Sequence, residues 1–375
     1  MEETAGNGKW VWIILAIIVI VGGWWILGSK TPAEAGPIKI GLSSPMSGEG
    51  ASYGEGFYGG AALAVKEIND AGGINGRQIQ LVVEDDLCNA NGGASAMTKL
   101  TSVDKVAVVV GPMCSGAAGA ALPIAQKASM PTLIIASAPG LTKVGDYIFR
   151  NYPSDSYQGK FAAEFAYNQL GKRKAAVLYV KNDWGQGIND VFVARFKELG
   201  GEVVYDDSIL QTATDLRTQI AKVKAANPDF FFIPIYPQSF IAGLQQIKNA
   251  SLKIPMMGGD ALMDESVLKL PGTDGIIITQ SKTNNPADFQ AKVQQVTDKT
   301  PNMFSPYAYD AIKTLAQVIG KVGTDPKAII AELAQTSFTE SVATPTVSFG
   351  VDRELKTVEF DVKIIKDGQA IPYTQ

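Results

Sequence analysis

Short apolar runs alternate with amphipathic stretches from residue 38 to the end of the chain. The runs are rich in β-branched residues, as the buried strands of a parallel sheet are. In the first part of the chain they predict strands over residues 38–42, 79–84, 106–110 and 132–135. After the first strand, Phe57, Ala61, Val65 and Ile68 are spaced four, four and three positions apart, which predicts a helix. This order of strand, helix and strand indicates an α/β lobe.

The same alternation restarts after Arg150 and predicts a second α/β lobe. Its predicted helices span residues 156–170, 187–199 and 240–249, and its predicted strands span 175–180, 203–205, 230–233 and 276–279, with one more near 256. Helices over 287–297, 307–322 and 326–334 follow, and "TVSFG" and "TVEFDVKIIKDG" predict terminal strands joined by a turn. Because these last elements must join lobes that are already built, we expect the chain to cross between the lobes more than once.

The predicted fold is α/β, with two doubly wound parallel-sheet lobes joined by a multi-strand hinge. We place the first lobe at residues 37–153 plus 284–342 and the second at 154–283 plus 343–375. The carboxyl ends of the strands then border a cleft between hinged lobes, which is where such folds bind ligands.

An uncharged apolar segment, "WVWIILAIIVIVGGWWIL", precedes the first lobe over residues 10–27. At 1.5 Å per residue a helix of this length just spans a bilayer core of roughly 30 Å, and its Trp residues lie near both ends, as interfacial anchors do. We expect residues 1–36 to be an uncleaved transmembrane anchor with its linker. The alternative is a signal peptide cut after Ala35. Lys9 and Lys30 flank the segment one on each side, so charge alone does not set its orientation.

Composition restricts the chemistry that the chain can perform. The 375 residues carry a net charge of −4, without the basic excess that nucleic-acid binding requires. The chain has no His, so a Ser-His-Asp triad is impossible, and with two Cys a zinc site is equally out of reach. The glycines at 48, 50 and 54 miss the spacing of a dinucleotide-binding loop. We therefore expect a protein that is not an enzyme and has no cofactor or metal. We also expect a monomer.

The loop "GPMCSGAAGA" follows the predicted strand at 106–110 and leads into a helix that begins near Ser115. A serine at this position can cap its own helix. The alternative is an anion site, in which the N–H groups at the start of the helix and the Ser115 hydroxyl hold a carboxylate or phosphate.

Five more candidate residues follow predicted strands: Tyr53, Ser137, Trp184, Tyr236 and Asp260. Two serines on the first lobe, aromatic rings on both lobes and one carboxylate on the second suit a guest with an anionic end, a cationic end and an apolar part.

The two cysteines also follow neighbouring predicted strands, Cys88 after "VVEDD" and Cys114 after the strand at 106–110. They could form a disulfide that closes a loop of about 25 residues, or they could be two separate reduced thiols. A globular part outside the cytosol would favour the disulfide.

The segments "IKIGLSSPMSG", "AVKEINDAGGINGRQI", "VVEDDLC", "VVVGPMCSG", "YIFRNYPSDSYQG" and "MMGGD" resemble the type I periplasmic binding proteins, and among them the branched-chain amino acid binders that feed ABC transporters. The resemblance covers nearly all of residues 38–375. It implies a two-lobed binding protein that acts outside the cytoplasm, closes around an amino acid and delivers it to an ABC permease. It also implies that Cys88 and Cys114 form a disulfide.

The resemblance assigns roles to individual residues. Ser115 and Ser137 resemble the hydroxyl positions that bind the ligand's carboxylate and ammonium, with main-chain groups near Ala136 contributing. Tyr53, Trp184 and Tyr236 resemble the aromatic wall, and Asp260 resembles the acidic position that accepts the ammonium.

Three residues depart from the leucine binders, which usually have Thr, Tyr and Glu where this chain has Ser137, Trp184 and Asp260. We therefore expect an amino-acid ligand, with an aliphatic or branched side chain as the first candidate. The alternatives are a sensor for another amide-like or amino-acid-like solute and a tethered hydrolase.

Overall fold

Two sheets organise the computed structural model, which describes residues 36–374. The predicted transmembrane segment at 10–27 lies outside these residues. Within the described part of the chain, no helix has the length and apolar character needed to cross a membrane.

The elements follow the predicted alternation. The strands are β1 (Ile38–Ser44), β2 (Ile79–Asp85), β3 (Val108–Val110), β4 (Thr132–Ile134), β5 (Ile148–Arg150), β6 (Lys174–Val180), β7 (Glu202–Ile209), β8 (Phe230–Phe232), β9 (Met256–Gly258), β10 (Ile277–Ser281), β11 (Ser337–Phe338), β12 (Val347–Ser348), β13 (Phe360–Lys366) and β14 (Gln369–Pro372). The α-helices are α1 (Ala51–Asp70), α2 (Ala90–Thr98), α3 (Ser115–Lys127), α4 (Asp155–Glu164), α5 (Asp183–Glu198), α6 (Arg217–Ala226), α7 (Pro237–Asn249), α8 (Glu265–Leu268), α9 (Ala287–Thr297), α10 (Ser305–Val322) and α11 (Pro326–Leu333).

The first sheet has five parallel strands in the order β2-β1-β3-β4-β5. Its central strands are buried on both faces, which explains why they are continuous apolar runs and not alternating ones. The strand order reverses between β1 and β3. In open α/β sheets this reversal opens a crevice at the carboxyl ends of the two strands. We call this sheet and the helices packed on it the first lobe.

The second sheet has the order β14-β13-β10-β9-β8-β6-β7. Strands β6 to β10 run parallel, whereas β13 and β14 add to one edge in antiparallel fashion. Its strand order reverses between β6 and β8, which gives this sheet a crevice of its own. We call this sheet and its helices the second lobe. The two-lobed α/β architecture predicted from the sequence is thereby confirmed.

The chain crosses between the lobes three times: after β5, after β10 and before β13. The segment around residue 350, which the prediction assigns to the second lobe, contacts the first lobe at two places. Phe349 packs edge to face on Phe149 of the first lobe, with ring centroids 5.3 Å apart. Arg150 in β5 forms a buried ion pair with Glu354 at 2.8 Å. These two contacts hold the segment around residue 350 to the first lobe. The other predicted lobe bounds stay a prediction.

Two further details differ from the sequence-based predictions. The terminal strands β12 and β13 are not joined to each other by a turn, because β12 pairs with β11 in a separate two-stranded sheet and β13 pairs with β10. Helices α2, α6 and α8 and strands β5 and β11 were not predicted. Only Ile220 and Val223 of helix α6 are buried, so it carries little of the apolar periodicity that reveals a helix in a sequence.

Candidate ligand-binding site

A small cavity of about 50 Å³ lies between the two lobes at the carboxyl ends of the strands. It is lined by Tyr53, Met113, Cys114, Ser115, Ile135, Ser137, Tyr152, Trp184, Tyr236, Asp260, Ala261 and Phe304. Because one water occupies roughly 10–15 Å³ on this scale, the cavity suits a small guest. Its lining contains six of the seven predicted ligand-binding residues. Ala136 is the exception, since its side chain packs in the core of the first lobe and its N–H donates to the Pro112 carbonyl.

The strand reversals explain why these residues meet. Tyr53 and Ser115 follow β1 and β3, the two strands between which the order of the first sheet reverses. Trp184 and Tyr236 follow β6 and β8, the corresponding strands of the second sheet. Four side chains from distant segments therefore lie at the two facing crevices, one at the strand reversal of each sheet.

Ser115 is the first residue of α3, and Cys114 is the residue that precedes the helix. The Oγ of Ser115 does not cap the helix. It accepts a 3.1 Å hydrogen bond from the N–H of Ala138. The self-capping interpretation of this serine is therefore wrong. The Ser115 hydroxyl accepts this bond through one of its two lone pairs, and it can still donate its proton to a guest. The N–H groups and the positive dipole end of the first turn of α3 favour an anion at the same place.

Ser137 has the opposite hydrogen-bonding role: it can accept from a guest but not donate to it. Its hydroxyl donates a 2.8 Å hydrogen bond to Oδ2 of the buried Asp155. The proton is thus committed, and the remaining lone pairs of Oγ can only accept from a guest. The two serines therefore distinguish the ends of a zwitterion: Ser115 suits its carboxylate and Ser137 its ammonium.

Two buried carboxyl groups, Asp155 and Asp260, lie at this second end. Burial raises the pKa of Asp260, which lines the cavity. Burial, together with the charge of Asp260, raises the pKa of Asp155 to about 8, against the opposing influence of Ser137 and Arg150. One oxygen of Asp155, Oδ1, is buried without a hydrogen-bond partner. A cationic group in the cavity would favour the ionised form of both carboxyl groups.

Asp260 begins the short helical turn Asp260–Met263 after β9. Its Oδ2 accepts a 2.7 Å hydrogen bond from the hydroxyl of Tyr152. Tyr152 follows β5 on the first crossing between the lobes, and it is buried. A neutral donor this close keeps the Asp260 carboxylate oriented toward the cavity.

Aromatic rings form two opposite walls. Trp184 stacks on Tyr236 with ring centroids 5.0 Å apart. On the other side, Phe304 contacts both Tyr53 and Tyr152 at centroid distances of 5.6 Å. The predicted position of Trp184 ahead of its helix is wrong: Asn182 caps α5 through the N–H of Gly185, so Trp184 lies in the first turn. The space between these two walls suits an apolar side chain.

Cys88 and Cys114 form a disulfide with Cα atoms 5.1 Å apart. This confirms the pairing that the sequence left open. The bridge pins the loop before α3 to the end of β2, which fixes the position of Ser115. Cys88 Sγ also lies 4.0 Å from the hydroxyl of Tyr236 on the second lobe, so the disulfide contributes to the cavity wall.

Tyr152, Asp155 and Phe304 belong to the site but were not predicted as site residues. The first two lie in "YIFRNYPSDSYQG", which carried the family resemblance without a role for either residue. Phe304 precedes α10 by one position, at the point where the chain has returned to the first lobe. Nothing in its local sequence marks it as a cavity residue. Within residues 36–374 no group of three or more Cys, Asp or Glu side chains is placed to hold a metal ion.

A family model described as periplasmic binding protein matches residues 37–367. The chain is 29% identical over 343 residues to a leucine-, isoleucine-, valine-, threonine- and alanine-binding protein of Pseudomonas aeruginosa. The aligned region covers 88% of this chain and 90% of that protein.

Two solved structures show the same fold. The branched-chain amino acid transporter substrate-binding protein of Streptococcus pneumoniae, in complex with isoleucine, matches with a TM-score of 0.80 at 29% identity and covers 89% of this chain and 97% of its own. A solute-binding protein of an ABC transporter from R. palustris, in complex with benzoate, matches with a TM-score of 0.79 at 25% identity. The match covers 90% of this chain and 95% of that protein.

Proposed function

The chain belongs to the periplasmic binding protein family, and we propose that it captures an α-amino acid between its two lobes and presents it to an ABC permease. The observation that carries the proposal is the opposite polarity of the two serines. Ser115 has a proton to donate, whereas the proton of Ser137 is committed to Asp155. Together with Asp260, this arrangement suits a carboxylate and an ammonium on one carbon.

Capture works by closure. Residues from both lobes contact each other across the cavity: Tyr53 donates to the Ala261 carbonyl at 2.7 Å, and Ser52 donates to Asp264 at 2.8 Å. An amino acid that touches Ser115 on the first lobe and Asp260 on the second adds contacts that only closed lobes can make, so it shifts the population toward closure.

The guest's side chain would lie between the aromatic walls. The curated names of the relatives point the same way, since the Pseudomonas aeruginosa protein is named for small and branched aliphatic amino acids. Aliphatic amino acids are therefore the first candidates.

Family members of this kind act outside the cytoplasm, and the Cys88–Cys114 disulfide agrees with an oxidising compartment. Tethering to the membrane through residues 10–27, release after cleavage at Ala35, and a monomeric state are further parts of the proposal. They rest on the sequence alone.

A thermal-shift panel tests the function. The full-length chain, purified in mild detergent, is melted with each of the twenty amino acids, simple amides and benzoate. Because ligand binding to the folded state raises stability by mass action, at least one aliphatic amino acid should raise the melting temperature. A shift with benzoate or an amide alone would replace the amino-acid assignment with that class of ligand.

A further inference from the structure

Asp260 is the end point of a chain of buried hydroxyl groups. Tyr152 Oη donates to Asp260 Oδ2 at 2.7 Å, and Ser281 Oγ donates to Tyr152 Oη at 3.3 Å. Tyr307 Oη donates to Ser281 Oγ at 3.3 Å, and Thr283 Oγ1 donates to Tyr307 Oη at 3.0 Å. Tyr152, Ser281 and Tyr307 are almost completely buried.

The carboxyl group of Asp260 sets the donor direction of every hydrogen bond in this series of hydroxyl groups. The hydroxyl of Tyr152 donates to Oδ2 of Asp260, so its proton points at the carboxyl group. The oxygen of Tyr152 is then an acceptor for Ser281, and the same reasoning applies to each earlier hydroxyl. Every proton in the chain thus points toward Asp260. The 2.7 Å link at the carboxylate is the short one, as a hydrogen bond to a charged acceptor should be.

The ring of Tyr152 has little freedom to move away. It packs against Tyr307 at a centroid distance of 4.7 Å and against Phe304 at 5.6 Å. The residue also lies at the crossing after β5, while Ser281 ends β10 at the second crossing. The hinge itself therefore supplies the donor that orients Asp260.

We propose that Tyr152 is a positioning residue for the ligand's ammonium group, which it serves by holding the Asp260 carboxyl group aimed into the cavity. This inference rests on the proposed amino-acid function. It predicts that Tyr152 sets the preference for amino acids over carboxylic acids of the same skeleton, because only the amino acids need Asp260.

The experiment measures that preference by calorimetry with competition, on the full-length chain in mild detergent. The probes are L-leucine, L-valine and L-alanine, each paired with the acid that lacks its amino group: 4-methylpentanoate, 3-methylbutanoate and propanoate. Tyr152→Phe removes only the hydroxyl. Tyr309→Phe is the matched control, since Tyr309 lies on α10 near Tyr307 but donates to Glu67, away from the cavity.

Tyr152→Phe should raise the Kd of the amino acids by about tenfold and leave that of the deaminated acids within about twofold. Tyr309→Phe should change neither. Should Tyr152→Phe fail to fold, Ser281→Ala removes the donor to Tyr152 and should produce a smaller change in the same direction. Equal weakening of both ligand classes, or no weakening of either, would overturn the role of Tyr152. A wild-type chain that binds none of the three amino acids would instead overturn the proposed function on which this role depends.

Discussion

The hydroxyl of Tyr53 on the first lobe donates a 2.7 Å hydrogen bond to the main-chain oxygen of Ala261 on the second lobe. Both residues line the cavity, so this contact closes one side of it directly. Tyr53 is buried, and burial raises the pKa of its hydroxyl well above the usual value, so that it stays a neutral donor. The bond exists only when the lobes are closed.

Tyr53→Phe should therefore weaken ligand binding without destabilising either lobe. The lost hydrogen bond has a net value of about 1 kcal/mol, which corresponds to roughly a fivefold rise in Kd. Calorimetric titration measures the change. Tyr179→Phe serves as the control, because Tyr179 donates to Gln186 within the second lobe. A Kd unchanged by Tyr53→Phe would show that this contact does not contribute to closure.

Ser115→Ala should cost binding free energy at the carboxylate end. The substitution removes the predicted donor to the ligand and also leaves the buried N–H of Ala138 without its acceptor. We expect a loss of about 1–3 kcal/mol in affinity. Titration with the best amino acid tests this, with Ser102→Ala on the exposed surface as the control. Equal affinities for the two variants would remove Ser115 from the site.

The ligand-free protein should lose stability as the pH rises from about 5 to about 8. Burial raises the pKa of Asp155 to about 8, above the value of about 4 expected in the unfolded chain. The folded state thus binds this proton more tightly, and the stabilisation, complete below about pH 4, is lost as the pH passes through about 8. Urea unfolding at several pH values measures the slope.

Asp155→Asn supplies the matched comparison for that slope, because it cannot ionise. Its unfolding free energy should vary less between about pH 5 and 8 than that of the wild type. The groups that act on Asp155 are Asp260, Ser137 and Arg150, and they remain in place in this variant. Parallel pH profiles for the two proteins would contradict the assignment of this proton to Asp155.

Removing the disulfide should destabilise the protein and loosen the site together. Cys88 and Cys114 are 26 positions apart, and closing a loop of that length contributes about 3–4 kcal/mol in the chain-entropy model. The Cys88→Ala, Cys114→Ala double variant should show this loss in urea unfolding. Wild-type protein treated with reductant should behave like the double variant. Unchanged unfolding midpoints would mean that the bridge does not stabilise the fold.

The sequence predicts most of the fold because most of its signals are local. Helix α9 was predicted with its observed bounds, and four of the five strands of the first sheet differ from prediction by at most a few residues, whereas the short strand β5 was not predicted. Helix α6 was missed because only Ile220 and Val223 face the core. The contacts of Phe349 and Glu354 with the first lobe could not be predicted, because their partners lie about 200 positions earlier in the chain.

The candidate site divides in the same way. Residues that directly follow strands, such as Ser115 and Tyr236, were predicted from their position. Tyr152 and Asp155 act through other side chains, Asp260 and Ser137, which lie 108 and 18 positions away. No local pattern encodes such partnerships, since they arise only when the lobes and their crossings are assembled.

The central claim, that one zwitterionic amino acid occupies the cavity, is tested most directly by calorimetric titration. The full-length protein is first unfolded and refolded in denaturant-free buffer to remove any bound solute. Titration with the amino acid that gave the largest melting shift should show binding at one site per chain, and Asp260→Asn should weaken it strongly. Absence of binding for all twenty amino acids, or binding that is indifferent to Asp260→Asn, would contradict the account.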